Sequence, residues 1–226
     1  MDQIKELQEV IGYEFKNEKL LIQALTHSSC ANERKINKIE NYERLEFLGD
    51  AVLELVSSDF LYGKYPDKKE GELTKLRASM VCESALSTVA RQIGLQSYLM
   101  LGKGEDSTGG RERNSILCDV VEAVIGGIYI DSGMEAASSF IHKFILSDSD
   151  KKLQFFDSKS KLQEKVQKSS KGKLHYELIR EAGPDHDKIF EVNAMLDDKI
   201  IGSGVGKNKK AAEQQAAYEA LMNNWK

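Results

Sequence analysis

Apolar residues recur at steps of three and four through the first two-thirds of the chain. The stretch LEFLGDAVLELVSSDFLYGKY, residues 45–65, has this spacing, and so does DVVEAVIGGIYIDSGMEAASSFIHKFIL, residues 119–146. Such spacing predicts amphipathic helices. Glycine and charge clusters such as YPDKKEGEL and LGKGEDSTGGRERN separate them. No useful run of strict alternation occurs before about residue 170. After it, LHYELIREAG, KIFEVNAML and KIIGSGVG alternate as three strands should. SKLQEKVQKSS before them reads as a short helix, and the alanine-rich AAEQQAAYEALMNNW after them as a longer one. The pattern predicts two domains, an all-α one over 1–147 and an α-β-β-β-α (α+β) one over 157–226. The polar, charged segment 148–156 between them reads as a short linker.

Composition narrows the class. Of 226 residues, 41% are hydrophobic and 30% charged, the profile of a globular protein. No apolar run reaches the ~20 residues of a membrane helix, and the first residues lack the basic-then-apolar order of a secretory leader. Three cysteines, Cys30, Cys82 and Cys118, match no zinc spacing and suit ordinary thiols in the cytoplasm. The formal net charge of -4 argues against a nucleic-acid partner until the chain is divided. Residues 157–226 carry 13 Lys and Arg against 11 Asp and Glu, a net of +2. Residues 1–156 carry 19 against 25, a net of -6. A basic excess joined to an acidic body suggests different partners for the two parts.

The candidate chemistry lies in the acids. Glu43, Glu46 and Asp50 in NYERLEFLGDAVLEL stand at steps of three and four, on nearly one side of a helix. Asp119 and Glu122 in ILCDVVEAVIGG stand three apart, among Ile116, Leu117, Val120, Val121, Val124 and Ile125. Acids at helical spacing are ordinarily a solvated face or salt-bridge partners. The apolar surround of Asp119 and Glu122 weighs the other way, because carboxylates are seldom buried unless paired or bound to metal. Oxygen ligands without His or Cys suit Mg²⁺ or Mn²⁺ rather than zinc. His27, in the turn THSS, reads as a capping or packing residue before it reads as a general base.

The segment NYERLEFLGDAVL resembles the signature of bacterial ribonuclease III, and the likeness extends to LTHSS, EGELTKLRASMV and GGRERNSILCDVVEAVIGGIY. The resemblance implies a homodimeric, all-helical endonuclease domain. It also implies a staggered cut of both strands of double-stranded RNA, leaving 5'-phosphate and 3'-hydroxyl ends. By the same resemblance Glu46, Asp50, Asp119 and Glu122 hold Mg²⁺, with Mn²⁺ able to substitute. Glu43 and Glu70 match two further acidic positions near the cleavage site. The family's work is processing of rRNA precursors and of some mRNAs and tRNAs, in the cytoplasm, without an organic cofactor. One departure is that Glu112 precedes Arg113 and Asn114 follows it, where the family is more basic. Salt bridges across the dimer are therefore expected to be altered.

The pattern after residue 157 fits a double-stranded RNA-binding domain, which reads A-form shape. Gln163 and Glu164 on its first helix match minor-groove contacts, and His186 in the first hairpin loop matches a second. Lys207, Lys209 and Lys210 stand at the start of the last helix, where a helix N-terminus already favours phosphate. Asn208 takes the place of the family's usual serine and still offers a cap. Two other readings stand beside the nuclease. One is a protein that holds double-stranded RNA without cutting it. The other is a di-iron bundle, which wants Glu-x-x-His pairs that neither His27 nor His142 supplies.

Overall fold

The computed structural model describes residues 2–34, 40–147, 149–156, 158–169, 172–184 and 188–223. The chain divides into two compact units, residues 1–148 and 149–226.

The first unit is helical: α1 (Asp2–Ile11), α2 (Glu18–Ala24), α3 (Ser28–Glu33), α4 (Glu43–Lys64), α5 (Glu70–Val81), α6 (Glu83–Gln92), α7 (Lys103–Ser107) and α8 (Asn114–Ile141). A turn of π-helix, His142–Leu146, continues from α8. The strand-like pairing among the unit's described residues is one isolated bridge, Thr26 to Met100. Helix α8 is apolar nearly all round and lies in the core, as its sequence predicts. Ile116, Leu117, Val120, Val121, Val124 and Ile125 are all buried. Each such side chain contributes roughly 1.5–3 kcal/mol by leaving water.

Two glycines set how closely α4 and α8 cross. A Cβ on Gly49 would overlap the carbonyl oxygen of Glu122 and stand 2.9 Å from the amide nitrogen of Gly126. A Cβ on Gly126 would overlap the carbonyl oxygen of Leu45. The helices therefore meet backbone to backbone, as only glycine allows. Farther along, Gly133 (φ 81°, ψ -171°) kinks α8 in a region closed to other residues. Just before the kink, Asp131 accepts from the Tyr13 hydroxyl (2.6 Å) and from the amides of Lys16 (2.8 Å) and Asn17 (2.9 Å). The turn between α1 and α2 is thereby tied to α8.

The second unit contains α9 (Ser149–Phe156), α10 (Ser158–Ser169), β1 (Leu174–Ala182), β2 (Ile189–Leu196), β3 (Lys199–Gly206) and α11 (Lys209–Met222). The strands form one antiparallel sheet in the order β1-β2-β3. The α-β-β-β-α order and all three strands agree with the sequence pattern. Gly202, Gly204 and Gly206 alternate along β3 and present backbone to α11, where a Cβ would strike the helix near Ala220, Ala216 and Ala212 respectively. Small residues on both elements let the helix lie directly on the sheet. Leu162 and Val166 of α10 complete this core.

The stretch expected as a linker is different. It is helical over Ser149–Phe156, and Phe155 packs edge-on against Tyr218 of α11 with ring centroids 5.7 Å apart. The Gln214 side-chain amide donates to the Phe155 carbonyl, and so does the Ser158 hydroxyl. A polar, charged composition hid this helix in the sequence; among the described residues Phe155 is an aromatic anchor and its carbonyl accepts two side-chain bonds.

Candidate active site

The glycine crossing decides which side chains meet. Glu46 and Asp50 flank Gly49 on α4, and Glu122 lies one turn before Gly126 on α8. Where the backbones touch, these acids and Asp119 share one neighbourhood. Glu46 is pushed up to about 7, first by burial and then by the charges of Asp119, Glu43 and Asp50. Glu122 is also pushed up to about 7, by burial and by Asp50, Asp119 and Glu46. Burial raises Asp119 as well, against opposing pulls from Tyr42 and His27. Like charges held together in low dielectric behave this way.

The oxygens are not drawn into a coordination group. Among the described residues, no three His, Cys, Asp or Glu side chains stand where they could hold a metal ion. The two findings are compatible, because repulsion acts over ~4–6 Å or more whereas ligation needs oxygens ~2.0–2.6 Å from an ion. Carboxylates without a counter-charge have no reason to converge. As a donor set the four fit a hard divalent cation: all oxygen, and costly to leave charged together.

The other expected acids are placed differently. Glu43 is exposed at the first turn of α4 and acts on the group through its charge. Glu70, exposed at the start of α5, accepts from the Thr74 hydroxyl (3.0 Å). It lines a cavity of about 560 Å³ with Leu55, Tyr62 and Arg77, and none of the four carboxylates lines that cavity. Two neighbours of the group went unread in the sequence. The Tyr42 hydroxyl donates to Asp119 Oδ2 at 3.0 Å, and the Cys118 thiol donates to Glu122 Oε1 at 3.7 Å. His27 caps α3, its Nδ1 accepting from the Ser29 amide (3.1 Å). Glu112 pairs with Arg91 of its own chain (3.7 Å), and Asn114 Oδ1 accepts from the same arginine (2.7 Å).

In the second unit Gln163 and Glu164 are exposed on α10, and Lys207, Lys209 and Lys210 are exposed around the start of α11. Asn208 caps that helix, its Oδ1 accepting from the Ala211 amide at 2.9 Å. The ammonium groups therefore flank a helix N-terminus, where an anion is favoured. His186 lies outside the described residues.

Residues 17–149 match the family described as Ribonuclease-III-like, and residues 158–223 match the double-stranded RNA binding motif. The chain is 49% identical to Ribonuclease 3 of Bacillus licheniformis, over 97% of this chain and 89% of that one. The chain belongs to the ribonuclease III family. A second ribonuclease III relative, from Listeria monocytogenes, is 45% identical over 98% of this chain and 97% of its own. The crystal structure of the nuclease domain of Campylobacter jejuni ribonuclease III superposes with a TM-score of 0.60 at 40% identity. It covers 66% of this chain and 97% of that one. The present chain is thus a ribonuclease III enzyme with an RNA-binding motif, and its helical first unit is the ribonuclease III nuclease fold. No helix among the described residues is long and apolar enough to cross a membrane.

Proposed function

We propose that this ribonuclease III hydrolyses double-stranded RNA as a Mg²⁺-dependent homodimer. It leaves 5'-phosphate and 3'-hydroxyl ends with a stagger between the two cuts. Residues 1–147 act as the endonuclease domain and residues 157–226, with α9 packed on them, as the duplex-binding domain. Its substrates are rRNA precursors and some mRNAs and tRNAs, in the cytoplasm.

The observation that carries the reading is the crossing at Gly49 and Gly126, which brings Glu46, Asp50, Asp119 and Glu122 into one neighbourhood. Mg²⁺, or Mn²⁺ in its place, would be held by these four. Bound there it supplies a nucleophilic water and neutralises charge on the leaving oxygen. The protein's part is to hold the four carboxylates on two helices that cannot slide. Glu43 and Glu70 act beside the cleavage site, Glu43 through its charge on Glu46. Gln163, Glu164 and His186 meet the minor groove, while Lys207, Lys209 and Lys210 meet phosphates.

The dimer is supported by α4. Phe47, Leu55 and Tyr62 are 80%, 59% and 77% exposed. Steps of eight and seven residues keep them within ~80° on the helix. Such an exposed apolar stripe on a water-soluble fold asks for a partner. The Campylobacter jejuni nuclease domain is described as having a region involved in dimer formation.

The test is a labelled RNA duplex incubated with the chain in Mg²⁺ and in EDTA. Cutting in Mg²⁺ to 5'-phosphate ends, and binding without cutting in EDTA, is the expected pair of results. Duplex that is bound but uncut in both Mg²⁺ and Mn²⁺ would replace the nuclease with a binding protein.

A further inference from the structure

We infer that Tyr42 is a positioning residue for Asp119, and that its hydroxyl commits one carboxylate oxygen so that the other is left to a cation. Tyr42 is 4% exposed and precedes α4. It is fixed at three points. Its amide donates to the Thr26 carbonyl at 2.9 Å. Its ring lies against the His27 ring, centroids 5.5 Å apart. Its hydroxyl donates to Asp119 Oδ2 at 3.0 Å. The supports are themselves held: the His27 amide donates to the Met100 carbonyl (3.0 Å), and the Gln23 side chain donates to the Asn41 carbonyl (3.1 Å). A phenol so restrained has its O–H aimed before any ligand arrives. Asp119 stands on α8 and Tyr42 just before α4, so the bond ties the two helices that carry the acids.

The physical consequence is orientation. A carboxylate repelled by its neighbours turns away from them, and a donor on one oxygen sets the plane of the group. Partners that orient a ligand in this way typically change metal affinity or activity by about 10–100-fold when removed.

The inference rests on the metal reading above, and the experiment keeps the two apart. Tyr42→Phe in the full chain removes the hydroxyl and keeps the ring against His27. Without RNA, thermal stabilisation is titrated with Mn²⁺. The half-maximal Mn²⁺ concentration is expected to rise about 10-fold, and duplex cleavage to fall by a similar factor or more. Duplex binding in EDTA stays as in the parent. A purely structural role would lower the melting temperature in EDTA and leave the Mn²⁺ midpoint where it was, which would overturn the inference. In an Asp119→Ala background, which leaves no side-chain oxygen to orient, the same substitution is expected to leave the midpoint unmoved; a further shift there also overturns it. If the parent chain neither responds to Mn²⁺ nor cleaves, the metal reading falls and this inference falls with it.

Discussion

Glu122 combines burial on an apolar helix with three neighbouring carboxylates, and a single-atom change isolates its role. Glu122→Gln keeps the shape and removes the charge. Duplex binding in EDTA should be unchanged, while cleavage in Mg²⁺ should fall at least 100-fold, about 2.7 kcal/mol of barrier. Cutting at the parental rate in saturating Mg²⁺ would remove Glu122 from the site. The same variant tests the electrostatics without metal. In the unfolded chain Glu46 and Glu122 ionise near 4.3, but in the folded chain only near 7. Below ~4.3 both states are protonated and the pair costs nothing. Between there and about 7 the unfolded state loses its protons first, so stability declines as pH rises. Above about 7 the penalty is complete. In EDTA, Glu122→Gln should therefore melt higher than the parent at pH 8, with the difference gone near pH 4; a difference independent of pH would contradict the cluster. Spacing and apolar surround marked Glu43, Glu46, Asp50, Asp119 and Glu122 as candidates, and the resemblance to ribonuclease III gave them, with Glu70, their expected roles. Tyr42 was not marked, because a tyrosine just before a helix belongs to no period, and only the fold shows that Asp119 is within its reach.

At the scale of elements, the site depends on how near two helices can come. Gly49 stands three residues after Glu46 and Gly126 four after Glu122. A glycine inside an apolar helix costs ~1 kcal/mol against alanine and asks for a packing reason. Here the reason is the crossing. Gly126→Ala must spread α4 from α8, with an overpacking cost of about 1–3 kcal/mol or more. The melting temperature should drop by roughly 2–10 °C, and cleavage should fall further than stability explains. Gly63 lies on the same α4 with open space where a Cβ would go. Gly63→Ala should stabilise by up to ~1 kcal/mol through helix propensity. Equal effects at the two sites, read by thermal melts, would show that the crossing has room to spare. Periodicity alone predicted the long helices and the three strands, although β1 packs on the core only through Leu174 and Tyr176 at its start and is exposed from Glu177 to Glu181. It did not predict α9, a short, mostly polar segment in which Phe155 packs against Tyr218, nor the kink at Gly133, which a glycine allows but does not announce.

At the scale of the whole molecule, chemistry on both strands of a duplex needs two sites, and the described residues of one chain bring together the one set of four carboxylates proposed here. A two-fold pair of chains places a second site by symmetry, and such an interface uses the same patch twice. The stripe of Phe47, Leu55 and Tyr62 begins on the helix that carries Glu46 and Asp50, so pairing through it sets the spacing between the two sites directly. Phe47 is the most exposed of the three. An aromatic buried at the centre of an interface commonly contributes ~2 kcal/mol or more, about 30-fold in dissociation constant. Phe47→Asp adds a buried charge to that loss. The parent chain should sediment as a dimer and the variant as a monomer, and the dependence of the parent's melting temperature on protein concentration should disappear in the variant, which still folds because Phe47 is 80% exposed in its own chain. The monomer should still hold duplex RNA in EDTA, since Gln163, Glu164 and the lysines lie in the other unit. It should lose paired cutting in Mg²⁺, because a lone site that reaches one strand leaves the other intact. A variant that sediments as a monomer yet releases duplex fragments cut on both strands would show that pairing is dispensable, and the stripe would need another partner.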